Sequence, residues 1–352
     1  MKESSMKCAK TVKGMVVILS FIVLCGFVST KASAGEKVYK WRAQTYAVSG
    51  SVGYKALEAA LKDLKAATNG RLDISLYGVG ALVGPFEQLD AMGMGVFECG
   101  FNAPAYYAGK DPAFAALFSL MNIWETTSEV KIWSYYFGGL ELARELYSKY
   151  KVHYVGPALV GAEPIMSKIP LRTLSDFKGI KIRTAGGLTS ELFKKLGASP
   201  VKMGGGELYT GLDTGVVDAA EFVSLAENHD IGLDEVTEYV LFPSFHGNTA
   251  TCDFTVNQKA WNKLPEDLKA AMETWIYDLD ARFDYRSAAE STRALANMKK
   301  KGLVHTQLSA EDMAKAKQLS LEVAEEWKKK SAMSAKIIDS ILDYLRLKGS
   351  IE

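Results

Sequence analysis

Apolar residues recur along this chain in two periods, and the switches between them mark out the elements. Val38 to Ala43 alternates with period two and ends at Gln44-Thr45-Tyr46, which predicts a strand. From Ser51 the period lengthens: Val52, Ala56, Leu57, Ala60, Leu61 and Leu64 fall on one helical face, stopped by Asn69-Gly70. Leu72, Ile74 and Leu76 then alternate again. Strand, helix, strand at this length is a right-handed β-α-β crossover with parallel pairing. A Gly-rich loop, Gly78 to Gly84, leads to a helix expected over Pro85–Met92 and a strand over Val96–Phe101. The loop Phe101-Asn102-Ala103-Pro104-Ala105-Tyr106-Tyr107 follows, at a strand's carboxyl end, where ligands bind in open α/β sheets.

Further on, Lys131–Tyr150 has helical spacing interrupted by Gly138-Gly139. Val152–Pro157 is a strand running on to Val160-Gly161-Ala162-Glu163, where the first hinge is expected. Between Gly179 and Asn228 the pattern is denser. Ile180 and Ile182 alternate up to Arg183, Leu188–Leu196 is helical, Pro200–Met203 is a strand, Glu207–Leu212 a short helix, and Val216–Phe222 a third strand. Arg183, Glu221 and Phe222 therefore converge at strand ends. A strand over Thr237–Phe242 and a return strand over Thr249–Asn257 frame a second hinge that holds Phe245 and His246. From Pro265 an apolar helical period continues without a breaker to Lys301-Gly302, long enough to bridge two domains. Ser309 with Asp312 opens a further helix to Lys330, and Ile337–Leu347 is a last amphipathic one.

Composition changes this picture mainly at the N-terminus. Lys2, Lys7, Lys10 and Lys13 precede an apolar run from Met15 to Val28 and the small-x-small sequence Ala32-Ser33-Ala34, the pattern of a cleavable secretory leader over 1–34. The run is shorter than the ~20 residues of a spanning helix, and Leu24 before Cys25 argues against lipid attachment. Removing five lysines and one glutamate turns the formal charge from +1 into −3, which leaves no basic footprint for nucleic acid or an anionic membrane. Cys99 and Cys252 remain, expected as two buried thiols rather than a disulfide. The four histidines, His153, His229, His246 and His305, are scattered, and the Gly clusters match no phosphate-binding fingerprint, so the usual enzyme constellations are absent from the sequence. Arg183 is the candidate carboxylate clamp. Glu221, a carboxylate beside an anion site, is expected to pair with Arg183, to stay protonated, or to hold a cation.

The pattern G-x-K-x-R at Gly179, F-x-x-L-G-A at Phe193, and E-x-Y-x-x-L-x-x-G-x-x-D-A-A-E from Glu207 to Glu221 resembles the substrate-binding proteins of tripartite ATP-independent periplasmic (TRAP) transporters, the DctP-like family. Within that family it looks closest to the branch for 2-oxo and 2-hydroxy acids. Ala81–Glu87, Gly109–Ala115 and Gly138–Tyr147 are similar to that branch too, so the likeness covers most of the chain after the leader.

The resemblance implies an α/β fold of the two-domain periplasmic binding protein type, with an interdomain cleft and a long bridging helix. The expected division is 35–158 plus 250–285 for one domain and 159–249 plus 286–352, with the C-terminal helices, for the other. It further implies a periplasmic receptor that does not turn over its ligand and that delivers a small organic acid to membrane permease subunits. A periplasmic enzyme acting on a small carboxylic acid is the alternative. In the resembling branch, the glutamate of D-A-A-E and a glutamine of the preceding domain hold sodium or calcium, which the substrate also touches. The glutamine position here is Glu163, so the implied cation set is Glu163 and Glu221 with Phe222. That branch has a further glutamate where this chain has His246-Gly247, and a tryptophan where it has Phe222. The ligand-binding candidates are Arg183, Glu221, Phe222, Glu163, Tyr106, Asn102, Tyr46, Phe245 and His246, with Phe101 as a further lining aromatic. A homodimer through the C-terminal helices is left open.

Overall fold

In the computed structural model, residues 36–117 and 120–352 are described, and the expected leader, 1–34, lies outside them. The first crossover forms as its periodicity requires. β1 (Tyr39–Thr45) and β2 (Leu72–Tyr77) pair in parallel, from Tyr39 opposite Leu72 to Gln44 opposite Tyr77. The helix Val52–Ala67 joins them, with Ser51 as N-cap accepting the N–H of Tyr54 and with Ala56, Leu57, Leu61 and Leu64 buried.

Nine more strands follow among the described residues: β3 (Cys99–Asn102), β4 (Val152–Val160), β5 (Ile165–Ser167), β6 (Lys181–Thr184), β7 (Ser199–Lys202), β8 (Ala219–Glu221), β9 (Tyr239–Leu241), β10 (Ala250–Asn257) and β11 (Val304–Thr306). They build two sheets, ordered β2-β1-β3-β10-β4 and β11-β9-β5-β8-β6-β7. Each is a mostly parallel α/β sheet with an antiparallel strand where the chain crosses over: β10 in the first, β5 in the second. This is the two-domain α/β fold read from the sequence.

The two crossings run side by side. Residues 161–164 carry the chain from β4 to β5, and residues 242–249 bring it back from β9 to β10. Glu163 N–H donates to Gly247 O at 3.0 Å, and Ala250 N–H to Gly161 O at 3.2 Å. β4 does not stop at Gly156-Pro157 as the Gly/Pro signal suggested. It is the edge strand, so Pro157 interrupts no second ladder, and the register with β10 shifts nearby, between Phe254 and Thr255. Gly156 also has a packing role, since a Cβ there would stand 3.0 Å from Ile276 of the long helix.

That helix spans Glu266–Lys300, 35 residues, and buries Leu268, Met272, Trp275, Ile276, Leu279 and Phe283. It packs on β4 and on the helix Val52–Ala67 from the first sheet's side, and on the helix Leu225–Asp230 from the second. Asp280 fixes it further by accepting the N–H of Leu159 at 2.7 Å. The expected helix Lys131–Tyr150 is two helices, Thr127–Tyr136 and Gly139–Ser148, broken at Gly138 (φ +87°), a conformation that disfavours any side chain. The third strand of the Arg183 region is shorter than expected, because Gly215 turns at φ +74° and only Ala219–Glu221 pairs. The Pro85 helix begins later, at Gln88. The final helices, Ala310–Lys328 and Ala332–Lys348, are capped by Ser309 and Ser331. Cys99 and Cys252 are both free and buried. Among the described residues, no helix is long and apolar enough to cross a membrane.

Candidate functional site

Arg183 sits on β6, hydrogen-bonded on one side to β7 and on the other to β8, and its side chain is 1% exposed. A guanidinium so placed must find acceptors for five N–H groups. Nε donates to Met203 O at 2.9 Å, Nη1 to the main-chain O and to Oε2 of Glu221 at 2.5 and 3.2 Å, and Nη2 to Tyr106 Oη at 3.0 Å. The Phe222 ring lies 5.2 Å from its centre. Counting one N–H per bond, a single Nη2 hydrogen is left. The arginine expected as a free bidentate fork is thus mostly committed to its own fold, and it ties the second sheet to Tyr106 beyond the first.

Glu221 ends β8, and its Oε1 accepts the N–H of Ala185 at 2.8 Å. Burial raises its pKa to about 7 against the opposing pull of Arg183, with the neighbouring charge of Glu163 adding to the rise. Glu163, on the first crossing, is also raised by burial to about 7, with Arg183 and the Val223 N–H working the other way. Val223 lines the cleft with φ +35°, a left-handed conformation that is costly for a β-branched residue.

His246 comes from the second crossing, fully enclosed beside Phe193 and Phe245. Its Nδ1 is 2.7 Å from Ser244 Oγ. Its Nε2 stands 3.2 Å from Glu163 Oε2 without hydrogen-bond geometry and has no partner. Burial lowers its pKa to about 4, so the ring is neutral at pH 7. Glu163, Glu221 and His246 each present a ligand atom, all within 4.8 Å of one another.

Arg183, Glu163 and Glu221 line one cleft together with Tyr46, Tyr106, Phe222 and Cys252, and His246 lies behind Glu163 outside that lining. The cavity is about 40 Å³, which holds a few waters at the ~10–15 Å³ that one requires. An organic acid needs the lobes to separate first. The contacts that close it are specific. Besides Arg183–Tyr106, Lys202 of β7 donates to Tyr106 O at 3.1 Å and lies 4.1 Å from the Phe86 ring.

Of the residues expected from the sequence, Arg183, Glu221, Phe222, Glu163, Tyr106 and Tyr46 meet at the cleft wall, and His246 stands behind Glu163. Asn102 does not reach it: its amide donates to Pro85 O and Tyr107 Oη, and its Oδ1 accepts from Ala103 N–H. Phe245 packs edge-on against Phe177 and Phe193 in the core, and Phe101 packs on Phe254 and Trp275. Both are pulled inward because a strand end or hinge aromatic gains more from full enclosure than from lining a polar cleft. Phe222 offers the cleft a ring, packed on Arg183 and against Gly205, where a Cβ would meet it at 2.6 Å. The imidazole that joins the two carboxylates was not assigned to the cation set, and neither was its orienting Ser244. The pair Ser244-x-His246 after Pro243 was the signal available.

A family model described as bacterial extracellular solute-binding protein, family 7, matches residues 43–330. A monocarboxylate 2-oxoacid-binding periplasmic protein of Nostoc sp. is 29% identical over 313 residues, spanning 88% of this chain and 85% of that one. Among solved structures, a TRAP periplasmic solute binding protein from Colwellia psychrerythraea with bound calcium and pyruvate is similar at 27% identity and TM-score 0.79, covering 89% of this chain and 96% of that one. One from Pseudoalteromonas atlantica with bound sodium and pyruvate is similar at 26% identity and TM-score 0.79, with the same coverage.

Proposed function

Because the chain belongs to family 7 of the bacterial extracellular solute-binding proteins, we propose that it captures a small organic acid between its two sheets and hands it to the permease subunits of a TRAP transporter. A 2-oxo or 2-hydroxy monocarboxylate is the ligand class, in keeping with the 2-oxoacid relative and the pyruvate-bound neighbours. The protein acts outside the cytoplasm, with its leader removed near Ala34, and releases its ligand unchanged.

The observation that carries this reading is the charge balance at the cleft. Arg183 and Glu221 are buried and Glu163 is part-buried beside them; Arg183 contributes +1 against −2 from the two carboxylates when both are ionised, and an arriving carboxylate would make the total −2. Buried charge of that size is costly unless it is paired or neutralised. A divalent cation held by Glu163 and Glu221 brings the sum to zero with the ligand bound, and supplies a positive centre for the ligand oxygens. Arg183 then orients the acid through its remaining Nη2 hydrogen, and Tyr106 and Phe222 exclude water on closure.

The test is a thermal-shift and calorimetric screen of chelator-treated protein with pyruvate, lactate, malonate and picolinate, with and without calcium. Binding to the native state raises its melting temperature by mass action. Saturable binding of at least one acid, with no new product after long incubation, is expected. Sustained turnover of any of them overturns the receptor reading.

A further inference from the structure

The cation set of this cleft is not all oxygen, and that departure has a chemical consequence. We propose that Glu163, Glu221 and His246 select a first-row transition divalent ion, zinc foremost, over calcium or sodium. The inference rests on reading the cleft as an acid-binding site and names the ion that serves it.

Three features of the imidazole support this. His246 Nε2 is enclosed and has no hydrogen-bond partner, although the ring sits among groups that would readily supply one. A buried polar atom left in this state is normally costly, and it needs a reason. Second, the Nδ1–Ser244 Oγ contact of 2.7 Å fixes the ring. The tautomer in which Nδ1–H donates to the hydroxyl leaves Nε2 as a bare lone pair directed at Glu163, the arrangement that orients metal-bound histidines through their other nitrogen. Third, Nε2 and Glu163 Oε2 are 3.2 Å apart, and the Glu221 donor is within 4.8 Å of both. Ligands placed about 2.0–2.2 Å from a zinc ion are separated by roughly 3–4 Å; the His246–Glu163 pair already has that spacing, and the Glu221 carboxylate closes on the same ion by a side-chain rotation.

Calcium is served less well by the same atoms. It takes about six to eight oxygen ligands at roughly 2.3–2.6 Å and gains little from a neutral nitrogen, whereas imidazole suits zinc, nickel and copper. Two carboxylates and one imidazole leave a fourth position open. An organic acid fills it with its carboxylate or its 2-oxo oxygen, beside Arg183. The charge balance is the same as for calcium, so the choice between the ions falls to the nitrogen.

The test uses the full mature chain, stripped with chelator and with no organic acid present. Titration calorimetry with zinc, manganese and calcium ions at pH 7.5 is expected to give a zinc affinity at least 100-fold above that for calcium. His246→Gln should lower zinc affinity at least 30-fold while leaving calcium within threefold. Since an enclosed histidine variant can misfold, cobalt(II) added to the unaltered protein gives an independent readout. Visible d–d bands of a low-coordinate nitrogen-containing site should appear and be abolished by one equivalent of zinc. Glu221→Gln separates this site from binding at His153, His229 or His305, because it should weaken zinc and leave those histidines intact. Calcium binding as tightly as zinc, or cobalt spectra of an all-oxygen octahedral site, overturns the proposal. Either result, with acid binding intact, leaves the receptor function standing. Tight zinc binding with no acid bound would overturn the receptor function alone.

Discussion

Glu227 Oε2 accepts the backbone N–H of Gly53 at 2.8 Å, and a Cβ on residue 53 would stand 2.8 Å from that same oxygen. The contact joins the helix Leu225–Asp230 of the second sheet to the first turn of Val52–Ala67 on the first. Asp230 accepts the neighbouring Val52 N–H at 2.7 Å, and Ser51 takes that of Tyr54. Three orphan donors of one helix N-terminus are thus satisfied, two of them by carboxylates from across the cleft, where the helix dipole favours negative charge.

Glu227→Ala should therefore weaken acid binding, because it removes a bond that ties the two lobes together on either side of the cleft. A charge-assisted hydrogen bond contributes about 1.5–3 kcal/mol, which corresponds to roughly 10- to 100-fold in affinity. Gly53→Ala should act in the same direction by pushing the carboxylate away. Calorimetry of both variants with the best-binding acid checks this, and affinities within twofold of the parent protein would count against a closing role.

Arg183→Lys should fail almost as completely as Arg183→Ala. An ammonium carries the charge but cannot reach Met203 O, both Glu221 oxygens and Tyr106 Oη at once. Breaking a buried pair by removing one partner costs roughly 3–5 kcal/mol. Loss of acid binding by more than 100-fold, together with a lowered melting temperature, is the expected result for both substitutions. A lysine variant that binds within tenfold would mean that charge alone suffices.

The pH dependence of the metal-free protein has a definite sign. Glu163 and Glu221 each have a pKa near 7 in the fold against an ordinary 4.5, so the native state holds protons that the unfolded chain releases between those values. Their contribution is fully present below about 4.5 and is lost as pH rises through about 7. His246, depressed to about 4, works oppositely, losing stability as pH falls from 6.5. The groups facing this pair are Arg183, His246 and the Ala185 and Val223 amides. Comparison with Glu221→Gln isolates the acid: in chelator, the variant should gain melting temperature relative to the parent between pH 5 and 8. Added metal should stabilise the parent more at pH 8 than at pH 5, because the ion displaces protons. A pH-independent difference between the two proteins would contradict the shift at Glu221.

Much of this was legible along the chain. The period-two run of β1, the helix after Ser51 and the unbroken period of Glu266–Lys300 depend only on which face each segment must bury, and that is written in neighbouring residues. Arg183 and Glu221 were also within reach, because they lie at the ends of β6 and β8, neighbouring strands of two consecutive β-α-β units joined by short local connections. The tertiary structure decided what lies between units. It drew Asn102, Phe101 and Phe245 into cores, spent most of the donors of Arg183 on its own lobe and on Tyr106, and set His246 against Glu163, 83 positions away. Hinge segments have no periodicity to betray a partner, and the meeting of residues 163 and 246 follows from two chain crossings lying side by side, a property of the closed sheets rather than of either segment.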